Sequence, residues 1–160
     1  MEIRPATAED HAGIIVLEAE IQTQHHEGAP FLFPPEGVIS REAYLELLKL
    51  PNQKIVVAVD EGEIVGYLHY ELINRPASYF TLPEKRLHVH ILTVKATHRG
   101  RKIGEALMER ANEIAGAFGA SRITLEVYTF NEGAVRFYER VGFEKFKFLM
   151  SQPVREDKSQ

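Results

Sequence analysis

The stretch Leu87-His88-Val89-His90-Ile91-Leu92-Thr93-Val94-Lys95-Ala96-Thr97-His98-Arg99-Gly100-Arg101-Lys102-Ile103-Gly104 decides how the chain folds. It begins with Leu87 to Val94, which reads as a strand. Lys95 to Gly100 reads as a turn. Arg101 to Phe118 then carries Ile103, Leu107, Ala111, Ile114 and Phe118 on one stripe, the pattern of an amphipathic helix. Gly119 stands just past its end, where a positive φ is wanted. Arg122 to Tyr128 reads as a further strand. A strand, a helix and a strand in this order imply two parallel strands joined by a right-handed crossover.

Working outward, the N-terminal side has a different period. Glu2 to Ala6 reads as a short strand. Thr7 is placed to cap a helix over about 8–23, and Ser40 to cap another over Arg41 to Leu50, which Pro51 ends. His25 to Ile39, with three prolines and two glycines, reads as a long loop. Lys54 to Val59 and Ile64 to Ile73 flank the turn signal Asp60-Glu61-Gly62-Glu63 and read as an antiparallel hairpin. Asn74 to Arg86 reads as a second loop. On the C-terminal side, Asn131 to Val141 reads as a helix stopped by Gly142, and Phe143 to Met150 as a last strand. The sum is an α/β fold: a single domain with a mixed, mostly antiparallel sheet, a central parallel strand pair and flanking helices. The domain is expected over residues 1–152, with a polar C-terminal tail over 153–160.

Composition narrows the chemistry. The chain has 160 residues and no cysteine, which removes disulfide scaffolds, thiol catalysis and thiolate metal sites. Hydrophobic residues make up 44% and charged residues 26%, so the chain is expected to fold without staples. No apolar run approaches the ~18 residues that span a bilayer. The opening Met1-Glu2-Ile3-Arg4-Pro5 lacks the apolar core of a signal peptide, and a cytoplasmic protein is expected. The net charge of −4 argues against nucleic acid or an anionic membrane as a partner.

Against that acidic background, one segment is basic. Arg99, Arg101 and Lys102 crowd the strand-to-helix junction beside Gly100 and Gly104. The first turn of a helix has unpaired N–H groups and a partial positive charge, so it attracts phosphate. The spacing is neither a Walker loop nor a dinucleotide fingerprint. The plainer reading is a solvated basic turn with a glycine for tight packing.

Arg99-Gly100-Arg101-Lys102-Ile103-Gly104 resembles the Q/R-x-x-G-x-G/A motif of the GCN5-related N-acetyltransferases (GNAT). Lys102 departs from it, standing at the motif's middle glycine; as a helical residue it would not need a positive φ. Asn131-Glu132-Gly133-Ala134-Val135-Arg136-Phe137-Tyr138-Glu139-Arg140-Val141-Gly142-Phe143 resembles the family's N-x-x-A-x-x-F-Y-x-x-x-G-F signature. The resemblance implies the acyl-CoA N-acyltransferase fold and an acetyl-CoA-dependent N-acetyltransferase acting directly on an amine of a small molecule, peptide or protein. A non-catalytic acyl-CoA-binding sensor of the same fold is the alternative. It further implies that the main chain of Leu92, Thr93 and Val94 pairs with the pantetheine arm. Arg99, Gly100, Arg101, Lys102, Ile103 and Gly104 would hold the pyrophosphate, and Asn131 would touch the cofactor. Tyr138 would protonate the leaving thiolate, as a phenol of pKa ~10 facing a thiol of pKa ~8.5; otherwise it is a buried aromatic. The implied partners are acetyl-CoA and an amine acceptor, with no metal; a homodimer through the C-terminal strand region is a compatible assembly.

Attack by an amine needs its ammonium proton removed. His88 and His90 lie two apart on a strand, so they share a face, and Leu92 and Val94 would continue it. Imidazole titrates near pH ~6.5, which suits this proton. His88-Val89-His90-Ile91-Leu92-Thr93-Val94 resembles the H-x-H-x-L-x-V strand of arylalkylamine acetyltransferases, where a histidine pair serves a proton path. Surface histidines, a structural hydrogen bond to the next strand, and Glu126 or a water chain as base remain open. His25 and His26 read as solvated loop residues. The loop aromatics Phe31, Phe33, Tyr79 and Phe80 read as loops packed onto the core, with an acceptor cleft for an apolar or aromatic amine as the alternative.

Overall fold

The computed structural model describes residues 1–154, so the expected tail lies outside the described residues beyond Val154. In chain order it has β1 (Glu2–Pro5), α1 (His11–Gly28), α2 (Arg41–Lys49), β2 (Gln53–Asp60), β3 (Glu63–Arg75), β4 (Glu84–Val94), α3 (Ile103–Phe118), β5 (Arg122–Leu125) and α4 (Glu132–Arg140). Single 3-10 turns, Ala8–Asp10 and Ala96–His98, precede α1 and follow β4. The five strands form one sheet in the order β1-β2-β3-β4-β5. The first three pairings are antiparallel and β4–β5 is parallel. This is the mixed sheet expected from the crossover.

Side-chain alternation divides the core into two layers. Val56 and Ala58 of β2 join Leu68, Tyr70, Leu87 and Val89 beneath Leu107, Met108 and Ala111 of α3. Ile55, Val57 and Tyr67 face the other way and meet Ile14 and Leu17 of α1 and Tyr44 of α2. Adjacent β2 residues thus enter opposite layers, as a period of two requires when both faces of a sheet are covered.

The local signals act as read at several ends. Ser40 Oγ accepts from Ala43 N at 3.2 Å. Gly119 takes φ +75° after α3, and the Glu61–Gly62 turn of the hairpin has φ +50° and +82°. Thr7 N donates to Asp10 Oδ2 at 2.7 Å, and Arg4 grips both oxygens of the same carboxylate at 2.7 and 2.8 Å.

Several expectations are corrected. α1 runs on to Gly28, five residues past the expected end, so His25 and His26 belong to its last turn. The hairpin of β3 and β4 extends to the Arg75–Glu84 pair, which shortens the second loop. β5 stops at Leu125 rather than Tyr128. α3 starts at Ile103, and Lys102 is its left-handed N-cap at φ +62° rather than a helical residue.

Phe143 packs against the α3 layer, but Phe143 to Met150 forms no strand among the described residues. Phe146, Phe148, Leu149 and Met150 are 80–96% exposed. The segment alternates like a strand, but a strand exists only through a hydrogen-bonded neighbour, and none pairs with it here. The aromatics Phe31, Tyr79 and Phe80 are 87%, 102% and 96% exposed, so those loops are not packed onto the core. Only Phe33 is partly covered.

Candidate active site

β4 and β5 pair over four rungs only, from Arg86–Arg122 to Val89–Leu125. Beyond that, the chain after β5 bends away. Tyr128 and Phe130 stack on each other at 5.2 Å, and His25 of α1 packs edge-on against both rings and stacks on Phe33 at 4.6 Å. This aromatic knot draws residues 128–130 toward the end of α1 and away from β4. The split opens a cleft of about 1120 Å³.

The cleft gathers most of the candidate residues. His88, His90, Leu92, Thr93, Val94, Arg99, Gly100, Lys102, Ile103, Gly104, Asn131 and Tyr138 all line it, and Arg101 does not. At one end lies the N-terminus of α3. Gly100 has φ +77°, and a Cβ built on it would meet nothing within 4 Å, so its main chain is open to a ligand. Gly104 has another reason: its Cβ would come 3.1 Å from Phe137 Cζ, so it lets α3 and α4 approach. Arg99 Nε turns back to donate to Val94 O at 3.3 Å, bracing the junction. Asn131 Oδ1 accepts from Ala134 N at 3.1 Å and caps α4.

Tyr138 stands where α4 closes the cleft, edge-on to Phe137 at 5.2 Å and Phe143 at 5.6 Å. Burial pushes its phenol up to about 12. The near balance with a thiol expected for an ordinary phenol therefore does not hold in the free protein. The group stays protonated at neutral pH, and donation becomes easier only for a thiolate desolvated in the same surroundings.

The strand face is also corrected. The β3–β4 register passes from His69–Ile91 to Tyr70–Val89, so His90 is an extra residue, a β-bulge. A bulge reverses the alternation. Leu92 and Val94 join the α3 layer with Leu87 and Val89, whereas Ile91 joins the α1 layer. His88 and His90 do share a face, with rings 4.9 Å apart, but Leu92 and Val94 point to the opposite one. His88 Nδ1 lies 2.9 Å from Thr124 Oγ1 on β5. Burial holds His88 below the ordinary imidazole value, and His90 adds to the effect. His90 Nε2 lies 3.0 Å from Glu71 Oε2. Glu126 lines the cleft but is largely exposed and pairs with Lys147 at 3.4 Å.

A third histidine escaped the sequence reading. His69 of β3 lies 4.7 Å from the His90 ring and bonds Gln53 Oε1 through Nε2 at 3.0 Å. Burial, with His90 second, drives it down to about 4, so it is neutral at pH 7. Its period-two relation to Tyr67 and Glu71 was visible in the sequence, but its contact with His90 depends on the bulge. His25, expected to be solvated, lines the cleft, and burial lowers its pKa. Among the described residues, no three His, Cys, Asp or Glu side chains group as metal ligands, and no helix is long and apolar enough to cross a membrane.

Comparison with known proteins gives concordant likenesses. The model of the acetyltransferase (GNAT) family matches residues 19–143. Streptothricin acetyltransferase of Streptomyces lavendulae is 29% identical over 112 residues, 70% of this chain. That match spans only 55% of its length, so the chain covers about half of this relative. Aminoalkylphosphonate N-acetyltransferase of Salmonella typhimurium is 28% identical over 94% of this chain and 90% of its own. A crystal structure of a tetramutant of the BH1408 protein from Bacillus halodurans superposes with a TM-score of 0.93, at 28% identity, over 96% of this chain and all of that one.

Proposed function

The chain belongs to the acetyltransferase (GNAT) family, and from that premise we propose that it moves an acetyl group from acetyl-CoA directly to a primary amine. The family and its named relatives support acyl transfer to amines in general. One observation carries the finer reading. A single cleft runs from a phosphate-seeking helix N-terminus, along the stretch of β4 whose outer edge no strand covers among the described residues, to an imidazole pair and a protonated phenol.

The residues fit an anionic acyl carrier. The 16-residue α3 presents its first N–H groups beside the open backbone of Gly100, with Arg99 and Lys102 on the cleft wall. Past Val89, β4 has no strand on its outer side among the described residues, so Leu92, Thr93 and Val94 offer main-chain groups to an extended arm. Acetyl-CoA supplies the activated thioester. The chain's own residues do the rest. A β4 N–H stabilises charge developing on the acyl oxygen. An imidazole of the His88–His90 pair receives the acceptor's ammonium proton. Tyr138 holds a proton at Oη for the departing sulfur. Asn131 contributes its amide Nδ2, since its Oδ1 is used in the cap. Arg101, outside the cleft, adds field rather than contact.

The test is thiol release from acetyl-CoA with purified protein and a panel of arylalkylamines, aminoalkylphosphonates, streptothricin-type amines and peptide N-termini. Turnover with at least one class is expected. Tyr138→Phe should lower kcat by about 10²-fold while acetyl-CoA affinity stays within twofold. Binding of acetyl-CoA with no turnover on any amine would replace this reading with a sensor.

A further inference from the structure

The two imidazoles of β4 face the cleft, and their partners differ in kind. His88 Nδ1 meets a hydroxyl, Thr124 Oγ1, which donates or accepts with equal ease, so nothing fixes the proton on that ring. His90 Nε2 meets Glu71 Oε2 at 3.0 Å. An ionised carboxylate only accepts, so Nε2 must carry the hydrogen and Nδ1 must hold the lone pair of the neutral ring. Glu71 is itself held: Asn52 Nδ2 donates to its other oxygen at 2.9 Å. Its side chain is 23% exposed, so its charge is only partly screened.

The bulge creates this arrangement. Glu71 stands opposite His88 in the register. The extra residue turns the His90 side chain to the same face, where it reaches Glu71 diagonally and lies 4.7 Å from the His69 ring. The groups against His90 are His69 and Glu71 from β3 and His88 from β4, and Glu126, beyond β5, lines the same cleft. Glu18 of α1 lines the same cleft, its oxygens engaged by Ile39 N and Tyr67 Oη. Of the carboxylates, Glu71 is the one in hydrogen-bonding contact with the His90 ring.

We propose that Glu71 is a positioning residue: it locks His90 in the Nε2–H form, so that His90 Nδ1, and not His88, takes the proton of the acceptor ammonium. This rests on the amine-acetyltransferase reading. The step balances simply. One N–H bond of the ammonium breaks, a new N–H forms at Nδ1, and the imidazolium shares its Nε2–H with the Glu71 carboxylate until the proton leaves to solvent. Glu71, half-buried, stabilises that cation through its charge and hydrogen bond, as a carboxylate does beside a catalytic histidine.

The test combines ¹⁵N shifts of the histidine rings in the whole protein with pH profiles of kcat/KM. In the unaltered protein, His90 Nε2 should give a protonated-type and Nδ1 a lone-pair-type shift. Glu71→Ala should yield a mixture of tautomers. It should also move the acid limb of kcat/KM down by about one pH unit, because losing the carboxylate disfavours the imidazolium. Glu71→Asp should recover part of both. His90→Gln should remove the acid limb and about 10²-fold in kcat/KM, whereas His88→Gln should retain the limb. Tautomers and limb unchanged in Glu71→Ala would overturn the role of Glu71. Loss of the limb in His88→Gln rather than His90→Gln would overturn the choice of base. If no amine is acetylated, the functional reading fails, but the ring shifts still decide the Glu71 lock.

Discussion

At the scale of the residue, Lys102 marks where motif reading and geometry part. The family motif wants glycine there, and the chain supplies lysine in the same left-handed conformation, φ +62° and ψ +13°. A side chain held there costs ~1–3 kcal/mol, and glycine loses ~0.5–1 kcal/mol more entropy on folding. Lys102→Gly should therefore raise stability by about 1 kcal/mol, read from the midpoint of urea unfolding. A lower midpoint would mean that the lysine's contacts outweigh its backbone cost. The chemistry of single residues was legible in the sequence: phenol, imidazole pair, basic turn. The conformation of Lys102 was not, because a local rule against positive φ yields when a loop must turn sharply into a helix. The raised pKa of Tyr138 was hidden too, since its burial beside Phe143 depends on tertiary packing.

At the scale of the element, β4 is two strands joined at a bulge. Before His90 its α3-facing residues are Leu87 and Val89; after it they are Leu92 and Val94. Neighbouring Gly66 on β3 shows how tightly this region is built. A Cβ there would lie 2.9 Å from Thr93 O and 3.3 Å from both Ile103 Cγ2 and Leu107 Cδ1. The first turns of α3 thus sit directly on the sheet beside the cleft-lining strand. Gly66→Ala should cost about 1–3 kcal/mol in urea unfolding and weaken acetyl-CoA binding, since Ile103 opens α3. Unchanged stability would show that β3 and β4 slide apart freely. Helix ends were legible at Ser40 and Gly119, where one residue type answers one local need. The bulge was not, because the adjacent apolar residues Ile91 and Leu92 fit either phase of the alternation, so the pattern does not show where an extra residue sits.

At the scale of the whole molecule, burial sets how stability depends on acidity. His25, His69 and His88 are all held below the ordinary imidazole value of 6.5, with burial the largest cause, and His69 reaches about 4. In the unfolded chain these groups bind protons near pH 6.5, before the folded chain does. Their stabilisation is complete above 6.5 and is lost as pH falls through the folded values. Asp10, lowered chiefly by its bond from Arg4, loses its contribution only below its ordinary value of 3.8. The melting temperature should therefore fall between pH 6.5 and 4, and His69→Gln should flatten that slope. An unchanged slope in the variant would assign it to other groups. The sequence by itself determined the element order from β1 to α4, the parallel pair at the crossover, several capping ends and the residue types of the cleft. These are written in local spacing, which sets which face a side chain takes and where a helix must stop. Only the tertiary structure decided which residues meet: Glu71 with His90, His69 beside it, Gly104 against Phe137, and the aromatic knot of His25, Tyr128 and Phe130 that opens the cleft. Those contacts depend on register and on the sheet's splitting, and a one-residue shift in pairing, which spacing cannot count, exchanges one partner for another.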